Sequence, residues 1–241
     1  MIPLRDRNPT RRTAFVTFAL IGACFAAFAI ELSLTASGGD AALEGFFARW
    51  AAIPADITKA LEAGDYTSQA IVGMVTSMFL HGGWLHLLGN MLFLWIFGNN
   101  VEDRLGSIPF LLFYLVGGIA AALAQVAINP GSDVPLVGAS GAIAAALGAY
   151  IVLFPGARIL SLVFLGFFYQ LLEVPAIIVL GFWFVLQLLN GVAAFGPETA
   201  QGGVAFFAHI GGFVFGLVVG FVLRLVGAGT SRRASSFGPM G

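Results

Sequence analysis

Val137-Gly138-Ala139-Ser140-Gly141-Ala142-Ile143, read with Ala208-His209-Ile210-Gly211-Gly212 about seventy residues later, sets one reactive polar side chain into each of two stretches otherwise fit only for lipid. After Ser140 the chain stays apolar to Phe154 and meets Pro155-Gly156, which cannot continue a helix. His209 lies in a second apolar run, from about Gly203 to Val226. A serine flanked by glycines at the start of an apolar helix, with a lone histidine inside another, is what nucleophilic catalysis below a membrane surface needs. Each residue alone has a plainer reading, the serine as a helix cap and the histidine as an interhelical hydrogen-bond partner.

The rest of the chain is of the same kind. Hydrophobic residues make up 59% and charged residues 10%, with a mean hydropathy of +0.95, against about 25% charged in soluble domains. An all-α polytopic membrane protein with one embedded domain is expected. The formal net charge of -1 gives no indication of a nucleic-acid partner. Cys24 is the only cysteine, which excludes disulfides and cysteine-based metal sites within one chain.

Six spans are predicted. Residues 1–12 carry Arg5, Arg7, Arg11 and Arg12 and precede the first span, Thr13 to about Leu34, which is too long for a secretory signal and reads as an uncleaved anchor. Residues 35–80, with scattered charges, read as a long external amphipathic loop lying partly in the interface. The second span, about Trp84 to Val101, holds His86 and Asn90 four residues apart, on one helix face. A third span covers about Ile108 to Ile128 and closes at Asn129-Pro130-Gly131. The fourth begins at Ser140. Ile159 to Leu172 is apolar but short, an interfacial or re-entrant segment in character. The fifth span runs from about Pro175 to Val192, where Trp183, Gln187 and Asn190 could line a substrate path but read better as packing. After Phe195-Gly196-Pro197-Glu198 comes the sixth, and the Gly/Ser/Arg tail 227–241 is expected to be disordered.

Nine of the eleven basic residues fall on the side of the two termini, with only Arg49 and Lys59 opposite, so both termini are expected in the cytoplasm and the protein in the cell membrane. The fourth span, at 1.5 Å per residue, then reaches only about 22 Å across a core of about 30 Å and sets Ser140 about 8 Å below the outer surface. His209 to Leu223, before Arg224, covers the same length, which puts both residues at one depth. Ser140, Ala144 and Gly148 form one small-residue stripe, and His209, Gly212, Gly216 and Gly220 another, through which the two helices can approach closely. No carboxylate lies in the interior of the second, fourth, fifth or sixth span. A Ser–His dyad is the largest nucleophile and base unit on offer, with the backbone N–H of Ser140 and the side chains of His86 and Asn90 as oxyanion donors.

His81-Gly82-Gly83-Trp84-Leu85-His86-Leu87-Leu88-Gly89-Asn90, Glu102-Asp103-Arg104-Leu105-Gly106, Gly138-Ala139-Ser140-Gly141 and Ala208-His209-Ile210-Gly211-Gly212 together resemble, in order and spacing, the rhomboid intramembrane serine proteases. The resemblance reaches from the second span to the sixth. It implies a six-helix bundle of rhomboid type, Ser140 as nucleophile, His209 as base, and His86, Asn90 and Gly138 at the oxyanion and substrate site. It also implies transmembrane protein substrates cut near their outer ends within the lipid bilayer, with neither cofactor nor metal. Where related proteins often carry Trp-Arg, Val72-Gly73 stands. His81 reads as structural. Two other classes remain open: a non-catalytic rhomboid-like binding protein, which would normally lack Ser or His, and a metal-dependent protein or transporter built on His81, His86 and His209, for which no His-Glu-x-x-His pair exists.

Overall fold

The computed structural model describes residues 1–165, 168–194 and 205–234. After strand β1 (Ile2–Asp6), helix α1 (Phe15–Trp50) opens without a side-chain cap of its own. The first N–H groups of a helix have no partner inside it. Here the Glu102 carboxylate, from far along the chain, accepts the N–H groups of Val16 (2.9 Å) and Thr17 (2.7 Å) and the Thr17 hydroxyl (2.8 Å). It also accepts the Ser107 hydroxyl (2.6 Å), fixing the start of α1 against two later helices.

The stretch 35–80 is helical, not a loop. Helix α1 continues past Leu34 to Trp50, bending at Gly39, whose φ of 66° suits a residue without Cβ. α2 (Pro54–Ala63), α3 (Gln69–Thr76) and a tight turn, Ser77–Phe79, follow. The charges at 40–65 exclude an apolar span, but Ala, Leu, Glu and Lys are good helix formers, and Pro54 stands where a helix tolerates proline. Gly73 lets α3 lie on the end of α1: a Cβ there would stand 2.5 Å from the Ala51 carbonyl oxygen.

α4 (Trp84–Phe93), a π-turn (Leu94–Gly98) and α5 (Asn99–Leu105) form one apolar rod, set at 80° to Gln69–Phe79. α6 (Ser107–Ile128), α7 (Ser140–Leu153), α8 (Ala176–Ala193) and α9 (Phe206–Ala234) complete the helices. Among the described residues four helices are long and apolar enough to cross a membrane, or five where the bent pair counts as one span, and α7 is shorter. This is a mostly helical, multi-pass membrane protein. α9 extends beyond Val226 to Ala234, eight residues into the stretch expected to be disordered. The expected loop 195–198, the expected start at Gly203 and the tail 235–241 lie outside the described residues.

A small sheet departs from the all-helical expectation. β2 (Arg158–Leu165) and β3 (Phe168–Pro175) form an antiparallel ribbon where an interfacial or re-entrant segment is predicted, and β1 pairs with β2. Val163, Phe164, Tyr169 and Val174 favour strand, and a run this short cannot span as a helix. β1 is pinned by Asp6, whose buried carboxylate accepts from Asn100 Nδ2 (2.5 Å) and the Tyr150 hydroxyl (2.9 Å).

Candidate active site

Ser140 stands at the first turn of α7, and the segment leading to it is tied down on two sides. Leu136 and Ala52 exchange backbone hydrogen bonds (2.8 and 3.2 Å), and Gly138 N–H donates to the Ser77 carbonyl (2.9 Å). Gly138 has φ of 121°, which a side chain opposes, and a Cβ on it would stand 2.7 Å from His86 Nε2 and 3.5 Å from Asn90 Nδ2. The glycine therefore lets His86 and Asn90 of α4 close against the chain just before Ser140.

His209, in the first turn of α9, places Nε2 2.7 Å from Ser140 Oγ. Its other ring nitrogen, Nδ1, lies 2.8 Å from Gln187 Oε1 on α8. An amide oxygen only accepts, so this contact puts the ring proton on Nδ1 and leaves Nε2 with a lone pair facing the serine hydroxyl. Trp183, one turn before Gln187, packs against the imidazole with ring centroids 5.8 Å apart. From sequence, packing is preferred to a substrate path for Gln187 and Trp183; the signal for a closer role is an amide inside a span, where a polar group needs a partner.

The two helices that carry Ser140 and His209 meet backbone to backbone. A Cβ on Gly212 would strike the Gly141 carbonyl, one on Gly216 the Ala145 carbonyl, and one on Gly148 the Phe213 carbonyl. One on Gly220 would stand 3.0 Å from Ala149 Cα. The stripe on α9 is thus the predicted one, whereas that on α7 is Gly141, Ala145, Gly148 and Ala149, displaced from the predicted Ser140, Ala144 and Gly148. The reason is geometric: Ser140 must reach past the contact line to the imidazole, so the residue beside it makes the contact. At the far end, Arg224 donates to the Val152 carbonyl (3.4 Å), so the two helices run level from the Ser–His pair to that contact.

Ser140, His209, His86 and Asn90 share a cavity of about 480 Å³, with Phe93, Ile143, Leu147 and Trp183 among its apolar walls. Asn90 Nδ2 is buried there with no hydrogen-bond partner among the described residues. His81 is buried outside this cavity: its backbone N–H donates to Glu31 Oε1 (3.0 Å), its Nδ1 donates to the Phe79 carbonyl (3.1 Å), and its ring meets that of His86 at 5.2 Å. Glu31, at the predicted end of the first span, lies inside α1 because that helix continues. Among the described residues no group of three His, Cys, Asp or Glu side chains is placed to hold a metal ion.

The Rhomboid domain family matches residues 68–226. Rhomboid protein 1, mitochondrial, of Saccharomyces cerevisiae is 32% identical over 183 residues, covering 72% of this chain and 48% of the yeast protein. Rhomboid protease GluP of Bacillus subtilis is 34% identical over 156 residues, 65% of this chain and 27% of that protein. RHOMBOID-like protein 4 of Arabidopsis thaliana is 34% identical over 152 residues, 63% and 34% respectively. The chain spans about half the length of the yeast relative and less of the other two.

Proposed function

The chain belongs to the rhomboid family, and on that premise we propose that it is an intramembrane serine endopeptidase working through a Ser140–His209 dyad. The observation that carries this reading is the 2.7 Å contact between Ser140 Oγ and His209 Nε2, with Gln187 Oε1 2.8 Å from the other ring nitrogen. A serine serving only as a helix cap would instead turn its hydroxyl to its own helix's N–H groups.

In this reading His209 Nε2 takes the hydroxyl proton as Ser140 Oγ bonds to the substrate's peptide carbonyl carbon. The negative charge that develops on the carbonyl oxygen is met by the Ser140 backbone N–H at the start of α7 and by His86 and Asn90. The C–N bond then breaks, and the proton on Nε2 passes to the leaving amine. Water attacks the resulting ester, gives its proton to Nε2, and the C–O bond breaks as Oγ is reprotonated. No step needs a metal or a cofactor.

The substrate class follows from where the site lies. Ser140 opens a helix of 14 residues, buried among longer neighbours, in a cavity walled mainly by apolar side chains. Such a cavity suits a transmembrane segment unwound near its outer end, with Arg49 and Lys59 on the outer side and both termini in the cytoplasm of a cell-membrane protein. The test is labelling by a serine-directed fluorophosphonate in vesicles, alongside cleavage of a model transmembrane substrate with and without EDTA. Labelling and cleavage of the wild type, both lost in Ser140→Ala and indifferent to EDTA, are expected. A properly inserted wild type that neither labels nor cleaves would point to the non-catalytic, client-binding alternative.

A further inference from the structure

Ile159 and Ser161 at the start of β2 are buried, but β3 and the end of β2 are exposed, and they are not built for water. From Ile159 to Leu172 the ribbon carries no charge. Phe164, Phe168, Tyr169 and Leu171 are exposed by 53%, 77%, 71% and 58%. Successive residues of a strand point to opposite faces, so Phe168 and Leu172 stand on one face and Tyr169 and Leu171 on the other. A ribbon with one face in water alternates apolar and polar residues, and contiguous exposed apolar surface marks a contact site.

We propose that the exposed apolar residues of this ribbon, Phe164, Phe168, Tyr169 and Leu171, form a lipid-contacting surface that dips into the boundary between head groups and acyl chains of the leaflet on the sheet's side of the protein. Continuity supplies the occupant. β3 runs through Pro175 directly into α8, a candidate span whose Ile177 and Phe182 are exposed by 60% and 56%. The chain thus passes from the apolar ribbon through its charged base straight into a candidate span, whose exposed apolar surface begins at Ile177. Charge supplies the orientation. Glu173 pairs with Arg7 (2.5 Å) and lies 3.9 Å from Arg158, gathering the ribbon's charges at its base. Six residues beyond Arg158, at about 3.3 Å each, Phe164 is carried about 20 Å from that cluster.

Depth is set by the backbone. β3 is an edge strand of the sheet, so its outer N–H and C=O groups lack strand partners. In hydrocarbon they would stay unsatisfied, whereas in the head-group layer water satisfies them. Tyr169, apolar in body with a polar hydroxyl, belongs at that boundary. This surface is independent of the protease reading and uses none of its residues.

The test is spin-label accessibility in the full chain, with Cys24→Ala removing the native thiol, reconstituted in phosphatidylethanolamine and phosphatidylglycerol vesicles. Labels at Phe168→Cys and Tyr169→Cys should collide with oxygen several-fold more than with a water-soluble nickel chelate. A label at Glu62→Cys on exposed α2 should do the reverse. Phe164→Cys, paired across from Tyr169 and on its face, stands in for that variant, and Leu172→Cys, on the face of Phe168, for the other, if either fails to insert. Nickel accessibility at both tip positions equal to that at 62 overturns the proposal, and so does lipid contact on one face only. Spin–spin broadening at the tip that vanishes on dilution with unlabelled protein would mean pairing of β3 with a second copy, and would overturn it as well.

Discussion

At the crossing of α7 and α9 backbone meets backbone, whereas at the junction of α1 with α5 and α6 a buried carboxylate does the holding. The first contact depends on missing side chains: Gly212 lies against Gly141 and Gly216 against Ala145. The second depends on one side chain with four hydrogen bonds, Glu102, accepting from Val16, Thr17 and Ser107. Lipid explains the difference. Between two apolar helices in a bilayer no hydrophobic effect favours association, so close van der Waals approach must serve. At a helix start the unpaired N–H groups give a carboxylate something to bind. The contrast predicts that the α7–α9 crossing governs activity and the Glu102 junction governs stability.

The sharpest test of the first half is the reactive pair. Ser140→Ala and His209→Ala should each abolish cleavage while leaving the midpoint of unfolding in detergent nearly unchanged, and the double variant should be no worse, since nucleophile and base act as one unit. A double variant much worse than either single would mean that the two residues do not work together. His86→Ala and Asn90→Ala come next, with turnover lowered by up to about 10²–10³ where either is a principal oxyanion donor. Unchanged turnover in both removes them from the site.

Gly212→Leu tests the crossing without touching the chemistry. It should force α7 and α9 apart, and a shift of about 1 Å can cost about 10²-fold in rate. Val218→Leu, on an exposed position of the same helix, should be silent. A Gly212→Leu protein that inserts and cleaves at the wild-type rate would break the comparison, since the close approach would then be incidental.

Gln187→Met keeps the shape of the side chain but removes the acceptor from His209 Nδ1. One lost hydrogen bond, worth about 1.4 kcal/mol, corresponds to about tenfold in kcat with KM unchanged. Gln187→Glu, which retains an acceptor, should keep more activity than Met. The reverse ranking would mean that Gln187 only fills space. Glu102→Gln has the smallest expected effect on catalysis and the largest on folding. It should lower stability by about 2–3 kcal/mol through weakened charge-assisted bonds, read as an earlier unfolding midpoint, with turnover per folded molecule unchanged. A selective loss of turnover at normal stability would erase the distinction between the two junctions.

Much of this protein was legible in one dimension because lipid imposes a simple code. A bilayer allows only self-satisfied helices of sufficient length, so apolar runs bounded by Asn129-Pro130-Gly131 and Pro155-Gly156 locate α6 and α7 to within a residue or two. The glycine spacing on α9 announced its contact face, and two polar residues in apolar helices announced themselves, because a polar group in lipid needs a partner.

What stayed hidden depends on partners distant in sequence. The fold of residues 35–80 follows from α3 docking on the end of α1 through Gly73, and charge content alone could not distinguish a loop from an amphipathic helix. Strand β1 exists because β2 offers it an edge and Asn100 and Tyr150 hold Asp6. The stripe on α7 is displaced because side-chain direction, not spacing along the helix, decides which residue makes the contact. Gln187 reaches His209 only once α8 lies beside α9. Sequence by itself determined which runs are apolar enough for a membrane and which polar residues stand among them, since both depend on local polarity. Tertiary structure alone decided which nitrogen of His209 faces Ser140, since that depends on an acceptor brought from another helix.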